Sequence, residues 1–267
     1  MHTSLPDYIV QRVRRPMPVN SAVVPGSTPV VSFGNAQSAT IATLGLNPSR
    51  QEFLDENGEE LAGSSRRLAT CQSLGVEDLS RAPEDAIRQV VEDCNTYFRR
   101  NPYHRWFNQL ERVLKVIDAS YYDHSACHLD LVQWATDPAW GKLRLPNVRH
   151  QLLESDGPFL LQQLRNEQIR VLLINGRGVI RQLQKLAPVQ FREEPPLSVR
   201  AYQKPRLFVG PFSIAFWSWV GVKTSSLHSA SRMNCEASLL IVCVKSFAPE
   251  KGGELDFMDV WCPIQAK

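Results

Sequence analysis

An alternation constrains this chain most. Short apolar, β-branched runs end in turn residues, and between them lie stretches whose apolar residues recur every three or four positions. Ala39 to Leu46 is the first such run and stops at Asn47-Pro48-Ser49. Cys127 to Thr136 is a second, followed by Pro138, and Ile169 to Ile174 a third, closed by Asn175-Gly176. Further strands are expected near Leu207 and over Ser213 to Trp217. A helix opens at Pro83 with Ile87, Val90, Val91, Cys94 and Phe98 on one stripe, and another carries Trp106, Leu110, Val113, Leu114 and Ile117. Helices are also expected over Val148 to Arg165, over Val179 to Leu186 and after Ser231. Strands alternating with helices predict an α/β fold with a mainly parallel sheet covered by helices on both faces. In such sheets the working groups lie on loops beyond the carboxyl ends of the strands.

The length suits one large domain with a sizeable core. Pro16, Pro18, Pro25 and Pro29 predict an extended amino-terminal arm over residues 1–37, with the folded domain spanning 38–267. The segment from Ser49 to Gly75 is too long for an ordinary connection and is expected to serve function. There is no internal repeat, and no predicted strand is followed by a GxGxxG or GxxxxGK[ST] phosphate loop, which argues against dinucleotide oxidoreductases and P-loop enzymes.

Composition narrows the class further. Hydrophobic residues at 43% and charged residues at 21% are those of a folded globular chain, not a disordered one. No apolar run approaches the roughly 20 residues that span a bilayer, and the amino terminus lacks a secretory pattern, so a cytoplasmic protein without a membrane partner is expected. The six cysteines are scattered, with no CxxC pair, and are expected to be reduced and mostly buried; no metal or other cofactor is expected. A net charge of +3 neither requires nor excludes nucleic acid. Local clusters (Arg12, Arg14 and Arg15; Arg66 and Arg67; Arg99 and Arg100) are either phosphate contacts or solvated surface.

Two motifs carry the chemistry: Gly45-Leu46-Asn47-Pro48-Ser49 at the end of the first strand, and Ser226-Leu227-His228-Ser229-Ala230-Ser231-Arg232 far downstream. The first resembles the water-activating Gly-x-Asn-Pro-Gly motif of the mismatch-specific branch of the uracil-DNA glycosylase superfamily. The second resembles that superfamily's His/Asn-Pro-Ser motif, which grips the minor groove and the leaving group. The strand with Leu129-Asp130-Leu131 stands where the superfamily reads the flipped base with an Asn, and Val171 to Gly176 resembles the next core strand. The likeness covers about residues 38–245. It implies a single-domain, three-layer α/β/α fold with a four-stranded central sheet, and a monofunctional DNA glycosylase acting as a monomer.

The residue types suit that reaction. Cleavage of a glycosidic carbon–nitrogen bond passes through an oxocarbenium-like sugar, so a water must be positioned and the charge leaving on the base stabilised. The Asn47 carbonyl can hold the water, and His228 can donate a hydrogen bond to the base as negative charge develops there. Asp130 and Phe53, with Gly45, Leu46 and Pro48, are assigned to base binding. Phe53, Trp134 and Trp140 are candidate stacking platforms, whereas Trp106, Trp217 and Trp219 are expected in the core or scaffold. Ser49, Ser229, Ser231, Arg232, Lys142 and Arg144 are assigned to DNA contact. No lysine sits at the first strand end, which argues against a Schiff-base route.

Departures from the pattern redirect the substrate. Ser49 replaces a usual Gly, and Ser229-Ala230 replaces Pro-Ser, so the register of the second loop is open. At Asp130 an ionised carboxylate only accepts, and carboxylates pair with the exocyclic amine of cytosine rather than with a uracil carbonyl. The expected substrate is therefore a modified cytosine, such as the glucosylated hydroxymethylcytosine of phage DNA, in an anti-phage role. Uracil removal in base-excision repair, a nucleoside-processing hydrolase and a non-catalytic DNA-binding relative remain open.

Overall fold

The computed structural model describes residues 4–19, 21–187, 192–193, 208–213 and 238–244. In chain order the elements are α1 (Asp7–Arg14), β1 (Ile41–Gly45), α2 (Cys71–Leu74), α3 (Glu84–Asn95), α4 (His104–Val116), β2 (Ala126–Asp130), α5 (Pro146–Asn166), β3 (Val171–Asn175), α6 (Arg177–Leu186), β4 (Arg192–Glu193), β5 (Phe208–Ser213) and β6 (Ser238–Val244). The strands form one sheet in the order β2-β1-β3-β6-β5-β4. The pairs β1–β2, β1–β3 and β3–β6 are parallel, while β5 runs antiparallel to both β6 and β4. The α/β class and the mainly parallel sheet agree with expectation. The expected count of four strands is corrected to six, because an antiparallel pair extends the parallel set beyond β6.

Alternation along the strands sends side chains to two separate cores. Ile41, Val171 and Leu173 pack with α1, α3 and α4, whereas Ala42, Leu44, Leu129, Leu172 and Ile174 pack with α5 and α6. Helices thus cover both faces of the sheet. Complete burial of each aliphatic side chain contributes about 1.5–3 kcal/mol, which holds these short strands in place. Helix α3 starts after Pro83 with Glu84 and Asp85 in its first turn, where acidic groups favour the dipole. Gly176, at φ 99, makes the turn from β3 into α6 in a backbone region that disfavours other residues.

The amino-terminal segment corrects the extended-arm expectation. Residues 7–14 are helical, ahead of the first interrupting proline, and Ile9 and Val13 are buried in the first core. The following segment runs beside the chain leaving β2: Phe33 and His128 exchange backbone hydrogen bonds of 2.8 and 2.9 Å, Val30 N–H donates to Gln133 O at 2.8 Å, and Val24 N–H donates to Ala135 O at 2.9 Å. β2 stands at the sheet edge, so this segment satisfies backbone groups that would otherwise be left open. The prolines exclude helix where they stand, but they do not exclude this docking. Trp106, expected in the core or scaffold, is 42% exposed near the start of α4 and so lies outside the core, while Phe107 beside it is buried.

Candidate functional site

Parallel pairing of β1 with β2 sets Thr43 opposite His128 and Gly45 opposite Asp130. Both strands therefore end side by side, and their carboxyl ends bring Asn47 and Asp130 into one region. Asn47 Nδ2 donates to Pro48 O (3.0 Å), Trp134 O (3.2 Å) and Thr136 Oγ1 (3.2 Å). These three acceptors fix the amide's orientation, leaving Oδ1 on the other side with no hydrogen bond from a described residue. Pro48 is buried, Leu46 packs against the second core, and Ser49 caps the turn at Arg50–Glu52 by accepting from Gln51 N–H at 3.2 Å. Arg50 clasps Asp137 through both carboxylate oxygens, tying the turn to the chain beyond β2.

Asp130 is only 5% exposed, and neither of its side-chain oxygens has a hydrogen-bond partner among the described residues. Such a group is costly unless something else satisfies it. Gly45 makes room for it: a β-carbon at that position would stand 2.4 Å from Asp130 Oδ1. His128 Nε2 lies 3.4 Å from the same oxygen. The other ring nitrogen, Nδ1, is 2.6 Å from Thr43 Oγ1, which is itself 2.6 Å from the Tyr121 hydroxyl. Phe33 and Phe107, themselves in contact, both pack against the imidazole with ring centroids at 5.6 and 5.4 Å.

A second buried carboxyl belongs to the same region. Glu52 accepts a 2.6 Å hydrogen bond from the Tyr97 hydroxyl. Burial pushes its pKa up to about 8, against the pull of that bond and of Arg67, and the charge of Asp130 adds to the rise. Arg67 ties the same loop to the 97–103 segment, donating to Gln51 O at 3.2 Å and to Asn101 O at 2.8 Å. The strand ends thus hold an oriented amide, a carboxylate with no hydrogen-bond partner among the described residues, a carboxyl that favours its neutral form, and an imidazole. This set can accept hydrogen bonds from an amine and hold a water, but among the described residues no group of three or more His, Cys, Asp or Glu could hold a metal ion.

Other expected site residues fall elsewhere. Phe53 and Trp134 are rings of the two cores, with Arg12 stacked on Trp134 at 5.3 Å, so neither presents an open stacking face. Trp140 is half-buried under Arg149, and Lys142 and Arg144 beside it are exposed. Arg12 is not a phosphate contact: it is buried against Asp156 at 2.9 Å and Gln133 at 3.0 Å. Arg66 and Arg100 converge on buried Asp93. Cys94 and Cys127 are buried free thiols, and Cys71 is a half-buried one.

His228, Ser229, Ser231 and Arg232 lie outside the described residues. Sequence reasoning missed His128, Thr43, Tyr121 and Glu52. A signal existed for His128, which sits two residues before Asp130 and so faces the same side of β2. Glu52 and Tyr97 meet only through tertiary packing.

No helix among the described residues is long and apolar enough to cross a membrane. No family model, no curated protein and no solved structure matches the chain.

Proposed function

We propose that the chain is a monofunctional DNA glycosylase of the uracil-DNA glycosylase type that hydrolyses the N-glycosidic bond of a modified pyrimidine, most naturally a 5-substituted cytosine. The observation that carries this reading is the buried Asp130 carboxylate, unpaired by any described residue and set beside the strand end that bears Asn47. In the proposed reaction the Asn47 carbonyl holds a water beneath the anomeric carbon of a flipped nucleotide. The carbon–nitrogen bond breaks, its electron pair leaves with the base, and the water oxygen bonds to the cationic sugar while its proton passes through solvent to the departing base anion. Asp130 accepts from the exocyclic amine, and His228 supports the charge developing on the base. Lys142 and Arg144, both exposed, contact phosphates together with Ser49, Ser229, Ser231 and Arg232. Removal of a glucosylated hydroxymethylcytosine would serve defence against phage DNA.

A second reading draws on Glu52. Two carboxyl groups near the strand ends also suit a hydrolase of free nucleosides. One experiment addresses both: oligonucleotides containing uracil, cytosine, or 5-hydroxymethylcytosine with and without glucose are incubated with the protein and nicked with alkali, beside the corresponding free nucleosides. Abasic sites at modified cytosine alone, lost in Asn47→Ala, are expected. Cleavage at uracil would overturn the cytosine assignment, and release from nucleosides alone would favour the second reading. No release from any substrate would overturn both.

A further inference from the structure

We infer that His128 is a positioning residue, fixed as its Nε2–H tautomer by a Tyr121–Thr43 hydrogen-bond chain, that steers Asp130 so that one carboxylate oxygen is left for an amine hydrogen of the ligand. The inference rests on reading Asp130 as the group that accepts from the base. Hydrogen-bond accounting carries it. Tyr121 is fully buried and its hydroxyl must donate; the acceptor within reach among the described residues is Thr43 Oγ1, at 2.6 Å. Burial raises the Tyr121 pKa well above its ordinary value, so the proton stays on that oxygen. Thr43 then spends its single proton on His128 Nδ1, also at 2.6 Å. With Nδ1 accepting, the ring proton resides on Nε2, the nitrogen 3.4 Å from Asp130 Oδ1.

That separation is longer than a formed hydrogen bond, and both Asp130 oxygens lack one among the described residues. The imidazole is tied at Nδ1 to Thr43 and packs against the touching rings of Phe33 and Phe107, so the carboxylate is the partner that moves when a ligand enters. A small rotation closes Oδ1 onto Nε2–H and turns Oδ2 toward the incoming amine; such contacts commonly tighten only in the bound state. The missing β-carbon of Gly45 is what lets Oδ1 stand on this side, next to Nε2.

The test uses the full chain with ¹⁵N-labelled histidine. The ring ¹⁵N shifts of His128, assigned from the signals lost in His128→Gln, are expected to report a proton on Nε2 in wild type and a redistribution toward Nδ1 in Thr43→Val. A proton on Nδ1 in wild type would overturn the inference. In the base-release assay, His128→Leu is expected to raise KM about tenfold, the worth of one hydrogen bond to a charged group, with a smaller change in kcat. His128→Gln, whose amide N–H reaches the same direction, is expected to restore most of the loss, and the effect is expected to vanish in an Asp130→Asn background. Equal losses with and without Asp130 in an active enzyme would overturn the positioning role. Should His128→Leu fail to fold, the Thr43→Val spectrum and its KM carry the same decision. Absence of base release by wild type is a separate result that removes the reading of Asp130 and, with it, this role.

Discussion

At Gly45 a single methyl group decides whether the carboxylate next door has room. A β-carbon there would stand 2.4 Å from Asp130 Oδ1, closer than real β-carbons come, and 3.0 Å from His128 Nε2, a tight contact. Gly45→Ala is therefore expected to push Asp130 off its position, lowering stability by about 1–3 kcal/mol as overpacking does. Base release should fall at least as far as in Asp130→Asn. Urea unfolding and the abasic-site assay read the two effects separately, and unimpaired base release by a folded Gly45→Ala would show that the placement of Asp130 is irrelevant to activity. Of this cluster, Asn47 was legible because turn residues after an apolar run mark a strand end, and Asp130 because its strand resembles the one that carries a base-reading Asn in the uracil-DNA glycosylase superfamily. Glu52 was not: it looks like one more acid in a polar loop, and only packing against Tyr97 buries it.

Among the elements, α1 shows how a polar residue can conceal a core face. Its eight residues lie between Pro6 and Pro16, and the buried stripe of Ile9 and Val13 is interrupted by Arg12. A pattern search seeking apolar spacing passes over it, whereas β1, β3 and α3 announce themselves by uninterrupted runs or stripes. Arg12 is held by Asp156 and Gln133, and the Asp156 oxygen it contacts also accepts from Gln133 N–H at 2.9 Å. This pins the chain just before Trp134, whose carbonyl orients Asn47. Arg12→Ala leaves Asp156 charged, buried and without its cation, which is expected to cost about 3–5 kcal/mol. Combining Arg12→Met with Asp156→Leu should return much of that stability, because removing both charges removes the desolvation cost. Equal denaturation midpoints for wild type and Arg12→Ala would refute this account of how α1 is anchored.

For the molecule as a whole, the alternation of strands and helices made the class and the parallel core of the sheet legible, while the antiparallel extension past β6 depends on long-range pairing that local patterns do not encode. That scaffold keeps Glu52 in a setting which favours its neutral form, and the consequence is a pH dependence of global stability. The Glu52 pKa rises from an ordinary 4.5 to about 8 on folding, chiefly through burial. Between those values the native state binds more protons than the unfolded chain. The favourable contribution is complete below the unfolded value and is lost as pH climbs through the folded one. Unfolding free energy is thus expected to fall across this window, with a limiting slope from this group of about 1.4 kcal/mol per pH unit. Glu52→Gln keeps an acceptor for Tyr97 but has no proton to lose, so its stability should be flatter over the same range and exceed that of wild type most near pH 8. Glu167, whose pKa burial also raises, contributes equally to both proteins and cancels in the difference. Urea unfolding of the pair, stepped from the ordinary carboxyl range to about pH 8, measures that difference directly. Parallel curves would mean that Glu52 ionises in the fold as freely as in water, and that its burial beside Tyr97 does not govern its charge.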